Sequence, residues 1–168
     1  MRIGTGWDIH PLVTERRLLL GGIEIPHTKG EEGHSDGDVL LHALIDALLG
    51  AIAAGDIGTH FPPTDAEWKD ASSLDLLQRT LVKLGAYSIE NIDCTVILQQ
   101  PKLGPFITQI RQSIASACAI EIGRVSVKAK TAEGLLGELG RGEAVIAQVV
   151  VLITEPNSSE AGPLEEWV

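Results

Sequence analysis

The sequence predicts an α+β domain in which a small mixed β-sheet is covered by helices on one side, with an α/β arrangement as the nearest alternative. Three observations carry this expectation. Strand-like and helix-like segments interleave along the chain; one helical segment in the first third is apolar on nearly every face; and the run Val149-Val150-Val151-Leu152-Ile153 makes a strong final strand. At 168 residues the chain fits one domain, and a domain of that length buries roughly 70% of the surface its unfolded form exposes.

Met1 to Ile9 and Arg17 to Ile25 read as strands, separated by a turn region that begins at Pro11 and closed by Gly21, Gly22 and Pro26. A loop is expected from His27 to Ser35. Ser35 or Asp36 then caps a helix to about Ala53, in which Leu40, Leu41, Leu44, Ile45, Leu48, Leu49 and Ile52 cover most of the circumference. Within it Asp38, His42 and Asp46 recur at i, i+4 and i+8 and stack as one polar stripe, which makes Asp46 a candidate acceptor for His42. Ala54 to Ala71 is too long and too rich in side-chain acceptors for a simple connector and reads as a site loop. Ser72 or Ser73 caps an amphipathic helix to about Gly85, and Ile89 to Gln99 alternates as a strand that Pro101 and Pro105 break. Phe106 to Ala119 is helical, Val125 to Thr131 a strand, and Glu143 to Thr154 the last strand. Residues 1–154 form the expected single domain; 155–168 are acidic with little to bury, the composition of a mobile tail.

The formal charge of −10 argues against a general nucleic-acid or anionic-membrane surface, since both rest on pooled Lys and Arg. Neither nucleic acid nor membrane is expected as a partner. No signal peptide is read at the start, and no apolar run reaches the ~20 residues of a membrane span. Cys94 and Cys118 have apolar neighbours and read as small buried hydrophobes. A cytoplasmic protein follows, or a stromal one for a plastid-bearing source.

Asp8 and His10 carry the chemistry. Asp-x-His on a strand points both side chains to one face, and His42 on the apolar helix is a third donor, so one carboxylate and two imidazoles can converge on a cation. Three protein ligands are the pattern of a catalytic rather than a structural zinc, whose fourth position takes water or a phosphate oxygen. Water there implies a hydrolase, whereas a diphosphate oxygen implies that the metal positions phosphorus for attack by another group.

Gly33-His34-Ser35-Asp36-Gly37-Asp38 precedes a helix N-terminus, where backbone donors and the dipole favour an anion. Lys130 and Thr131 at a strand end can donate to phosphate, and Glu133 can hold a hard cation such as Mg²⁺, which prefers one or two carboxylates plus phosphate oxygens. Lys102 is a further cation in a proline-bounded turn.

Gly6-Trp7-Asp8-Ile9-His10, His34-Ser35-Asp36-Gly37-Asp38, His42-Ala43, Asp46-Ala47-Leu48-Leu49-Gly50, Gly55-Asp56-Ile57-Gly58, Phe61-Pro62, Pro101-Lys102 and Lys128-Ala129-Lys130-Thr131 with Glu133 fall in one order. Over residues 1–154 that order resembles the 2-C-methyl-D-erythritol 2,4-cyclodiphosphate synthases. The resemblance implies a lyase of non-mevalonate isoprenoid biosynthesis that turns a cytidine-diphosphate derivative of methylerythritol 2-phosphate into the cyclodiphosphate and CMP. It also implies a homotrimer around a central sheet-lined core, with active sites at subunit interfaces.

Under that resemblance Asp8, His10 and His42 correspond to zinc ligands, with Asp8 and His10 also at the substrate, and Glu133 to the ligand of a second cation, Mg²⁺ or Mn²⁺. His34 and Thr131 match residues that position and stabilise the reacting phosphates. Asp56, Ile57 and Gly58 match the methylerythritol-contacting stretch, and Ser35, Phe61 and Asp65 are further substrate-binding positions. Leu98, Gln99, Gln100, Pro101, Lys102 and Leu103, with Lys130, Thr131, Ala132 and Glu133, match the cytidine and phosphate wall that a neighbouring subunit contributes; Arg141 is a further substrate-binding position and the arginine expected at the trimer axis. The chain departs from the pattern at Pro63, where Asp is frequent, and in the spacing of Gly134 to Arg141. A zinc-dependent phosphohydrolase and a metal-stabilised trimeric binding protein are the competing readings.

Overall fold

The computed structural model describes residues 1–68 and 71–155, so residues 69–70 of the site loop and the tail beyond Glu155 lie outside the description. Its strands are β1 (Arg2–Thr14), β2 (Leu18–Leu20), β3 (Ile23–Ile25), β4 (Lys29–Glu31), β5 (Ser88–Ile97), β6 (Val125–Lys130) and β7 (Ala144–Thr154). The helices are α1 (Val39–Ala51), α2 (Ile57–His60), α3 (Ser73–Lys83) and α4 (Ile107–Ala117). One sheet runs β4-β1-β7-β5-β6, with β5 and β6 parallel and the other neighbours antiparallel, which makes it mixed. A separate hairpin joins β2 and β3.

β1 alternates as a strand covered on one face: Gly4, Gly6 and Leu12 are buried and Asp8 and His10 half-buried, whereas Ile3, Trp7 and Ile9 are exposed on the other face. Helix α1 lies across β1 and β7 on the covered face. It fits there because Gly4 and Gly6 have no side chain; a Cβ at Gly6 would sit 1.9 Å from the Ala43 carbonyl oxygen, and one at Gly4 1.8 Å from that of Ala47. Leu40, Leu41, Leu44, Ile45, Leu48 and Leu49 are all fully buried. Each such side chain is worth about 1.5–3 kcal/mol, so packing rather than propensity holds this helix.

The sequence expectations need four adjustments. β1 continues through Pro11 instead of ending at Ile9: Pro11 is the last residue in register with β7, opposite Ala144, its carbonyl accepts from Glu32 N, and pairing with β4 begins at Leu12. The segment Arg17 to Ile25 is a hairpin rather than one strand. Its two-residue turn, Gly21-Gly22, has φ of +62° and +77°, which an L side chain rarely adopts. The short β4 lies inside the expected loop from His27 to Ser35. The α1 cap is Asp38, not Ser35 or Asp36.

The Asp38 carboxylate accepts from the N–H groups of Gly21, Gly22, Leu40 and Leu41 and so joins the hairpin turn to the start of α1. Glu31 accepts from Leu19 and Val39. Both carboxyls are fully buried; burial pushes Asp38 up to about 6 against its four donors, and burial together with the Asp38 charge pushes Glu31 well above the ordinary range. Arg16 donates to the carbonyls of Glu31, Gly33 and Ser35 at 3.2, 3.2 and 3.1 Å. The connection that carries His34 is therefore pinned at both ends. Cys94 and Cys118 are free and buried, and burial pushes both thiols up to about 12. No helix among the described residues is long and apolar enough to cross a membrane.

Candidate metal centre and substrate cavity

Period-two alternation brings Asp8 and His10 to the face on which α1 lies, and α1 presents His42 to them. One ligand atom from each of Asp8, His10 and His42 lies within 4.8 Å of the other two. Asp8 Oδ2 is 3.0 Å from His10 Nε2 and 3.2 Å from His42 Nδ1, while Asp8 Oδ1 accepts from the Ile9 N–H at 2.8 Å.

The outward contacts of the rings decide what belongs among these atoms. His10 Nδ1 is 2.7 Å from the Gly37 carbonyl. A carbonyl only accepts, so Nδ1 carries a proton, and Nε2 faces the anionic carboxylate oxygen either through a second proton or across a bound cation. In the metal-free protein a shared proton satisfies this pair, and a divalent cation takes its place when bound. Burial by itself would raise the Asp8 carboxyl, but the His10 and His42 imidazoles beside it outweigh burial and hold the group well below the usual carboxylate range. Burial would lower His10, yet Asp8 and the Gly37 carbonyl leave it raised. One carboxylate and two imidazoles suit Zn²⁺ and other borderline divalent ions.

These atoms open into a cavity of about 270 Å³ lined also by Gly33, His34, Ser35, Ile57, Gly58 and Phe61, with Pro63, Trp68 and Leu76 completing the wall. Asp56 caps α2 through its bond to the Thr59 N–H at 2.8 Å, and the Thr59 donors hold its carboxyl below the ordinary value. Asp65 accepts from Glu67 N. Asp46 is not the acceptor of His42: its Oδ1 takes the Ile57 N–H at 2.7 Å, anchoring the site loop to α1. His42 Nε2 instead meets the hydroxyls of Ser35 and Ser73, each at 3.0 Å. Ser73 reads in the sequence as a helix cap, so its place beside the metal set had no legible signal.

The remaining expected site residues gather elsewhere. Ala132 N and Gly134 N donate to Gln99 Oε1, Leu98 N to the Lys130 carbonyl, and the Thr131 hydroxyl to Glu133. Leu98 to Leu103 and Lys130 to Glu133 thus share the ends of the parallel pair β5 and β6, but none of them lines the cavity. In register, Asp8 reaches Ala129 only through Ala147 and Val96, three strand spacings or roughly 14 Å away. The Arg141 guanidinium is held by Glu138 and Glu143 at 2.9 and 2.8 Å. A larger groove of about 910 Å³ lies between the ends of α3 and α4, but its charged residues, Glu121 and Arg124, form no convergent set, and Arg124 is paired with Glu90.

The YgbB family profile matches residues 1–154. The 2-C-methyl-D-erythritol 2,4-cyclodiphosphate synthase of Syntrophotalea carbinolica is 52% identical over 162 residues, covering 95% of this chain and 98% of its own. That of Trichlorobacter lovleyi is 52% identical over 155 residues, 91% of this chain and 98% of its own. A solved 2C-methyl-D-erythritol-2,4-cyclodiphosphate synthase in a CDP-bound form superposes with a TM-score of 0.83 at 37% identity, over 91% of this chain and 100% of that one. The Plasmodium falciparum IspF–CDP complex gives 0.81 at 34% identity, over 93% and 97%.

Proposed function

Because this chain belongs to the YgbB family, we propose that it converts 4-diphosphocytidyl-2-C-methyl-D-erythritol 2-phosphate to 2-C-methyl-D-erythritol 2,4-cyclodiphosphate and CMP, in non-mevalonate isoprenoid precursor synthesis. The observation that carries the reading is the convergence of Asp8, His10 and His42 at the edge of a cavity walled by His34, Ser35, Ile57, Gly58 and Phe61. Those three donors would hold Zn²⁺, which when bound would supply positive charge at the substrate's phosphates. Glu133, beside the Thr131 hydroxyl, would hold Mg²⁺ or Mn²⁺, which when bound would neutralise phosphate charge.

In the reaction an oxygen of the 2-phosphate bonds to the β-phosphorus, the bond from that phosphorus to the bridging oxygen breaks, and its electron pair leaves on CMP. The nucleophile is already ionised at neutral pH, so no Ser, Cys or general base has to be activated. The task left to the chain is placement and charge. His34 and Thr131 position and stabilise the reacting phosphates, and Ser35 and Lys130 donate to them. Asp56, Ile57 and Gly58 meet the methylerythritol; Leu98 to Leu103 and Ala132 belong to the cytidine and phosphate wall, and Phe61, Asp65 and Arg141 are further substrate-binding positions.

Two sets separated by roughly 14 Å of sheet form one site when a second subunit brings its set against the first. The uncovered sheet face, with Ile3 69%, Trp7 55% and Ile9 43% exposed, supports a homotrimer packed face to face around a central sheet-lined core. Residues 1–154 act in it as a single synthase domain, in the cytoplasm.

Reaction in ¹⁸O-labelled water tests the assignment by mass spectrometry. The expected products are CMP and a cyclodiphosphate, both free of label. Label in a phosphate product would identify water as the nucleophile and make the protein a zinc-dependent phosphohydrolase.

A further inference from the structure

The outer nitrogen of His42, Nε2, faces two hydroxyls that differ in what they can do. Ser73 is fully buried at the first turn of α3; its hydroxyl is in close hydrogen-bond contact with Asp36 Oδ1, and its N–H donates to Asp36 Oδ2 at 3.0 Å. A hydroxyl has one proton, and an ionised carboxylate only accepts. Ser73 therefore gives its proton to Asp36 and turns a lone pair toward His42 at 3.0 Å, which requires a proton on Nε2. His42 is then left with a bare Nδ1, the nitrogen 3.2 Å from Asp8 Oδ2. Ser35 imposes no such choice: its hydroxyl accepts from Gly37 N at 3.3 Å but has no carboxylate to fix its proton, and it can turn either way.

We propose that Ser73, backed by Asp36, is a positioning residue that locks the His42 ring in the metal-ligating tautomer and ties the start of α3 to the metal centre. The proposal rests on the reading of Asp8, His10 and His42 as a metal set. It adds residues that touch neither metal nor substrate. Carboxylate partners behind a ligating imidazole raise its basicity and fix its orientation, and their loss typically costs 10–100-fold in metal affinity.

Two readouts on the full chain test it: Zn²⁺ affinity by competition with a chromophoric chelator, and the histidine ¹⁵N spectrum of the metal-free protein at pH 8. The variants are Ser73→Ala and Asp36→Asn, with His42→Ala as reference. The expected result is a loss of affinity of about 10–100-fold in Ser73→Ala and a smaller loss in Asp36→Asn. The His42 signal should pass from the Nε2-protonated form to a mixture of tautomers in both. Asp36→Asn preserves side-chain shape and carries the test should Ser73→Ala lose its melting transition. Parental affinity and tautomer in the folded variants would overturn the proposal. Parental binding no tighter than that of His42→Ala would instead overturn the metal reading on which it rests.

Discussion

The Asp8→Asn protein is expected to release CMP at least roughly a thousandfold more slowly than the parent and to lose most of its bound zinc. Asn preserves the shape of the side chain and removes its charge. That charge is what both imidazoles face, at 3.0 and 3.2 Å, and it is held ionised well below the usual carboxylate range. With it gone, two neutral nitrogens remain to bind a divalent cation that also meets an anionic substrate. Metal content by mass spectrometry and CMP by chromatography measure the two effects together. Retention of zinc and of rate within about threefold would show that Asp8 is not a ligand.

The largest structural effect is expected at Gly6, a residue with no chemistry of its own. Relieving a Cβ placed 1.9 Å from the backbone oxygen of Ala43 means moving α1, since no flexible side chain is there to yield. Overpacking in cores typically costs about 1–3 kcal/mol, and backbone against backbone belongs at the upper end. A loss of about 3 kcal/mol lowers the melting temperature of a domain this size by roughly 6–12 °C. The same shift carries His42 away from Asp8, so zinc affinity should fall with stability. Gly50 is the control: it lies in the same helix with 3.9 Å to the nearest atom, and Gly50→Ala should raise stability by up to about 1 kcal/mol. Thermal melts that put Gly6→Ala level with the parent would refute this account of how α1 seats on β1.

Much of the site was legible because its signals are local. Asp8 and His10 alternate on one strand, and His42 interrupts an otherwise apolar helix; strand period and helix burial suffice to bring them together. The stripe of Asp38, His42 and Asp46 was legible as a stripe but not in its partners. Four residues are about 6 Å along a helix, far enough for Asp38 to turn to the hairpin and Asp46 to the site loop. β4 was illegible because Lys29–Glu31 has too few residues to show a period, and it is a strand only by pairing with Leu12 to Thr14. The break at Pro11 failed for a related reason, since the proline falls where the strand changes partners. Ser73 stayed hidden because a serine before a helix reads as a cap, whereas its hydroxyl goes to Asp36. The split of the expected substrate residues between a cavity and a distant strand end belongs to no single stretch of sequence.

Anomalous diffraction at the zinc absorption edge, from crystals grown with Zn²⁺ and CDP, addresses the metal centre most directly. The expected result is one peak per chain about 2.0–2.2 Å from Asp8 Oδ2, His10 Nε2 and His42 Nδ1, with a phosphate oxygen as its fourth neighbour. Zinc bound elsewhere with these atoms bare, or a fourth protein ligand closing the site, would contradict it.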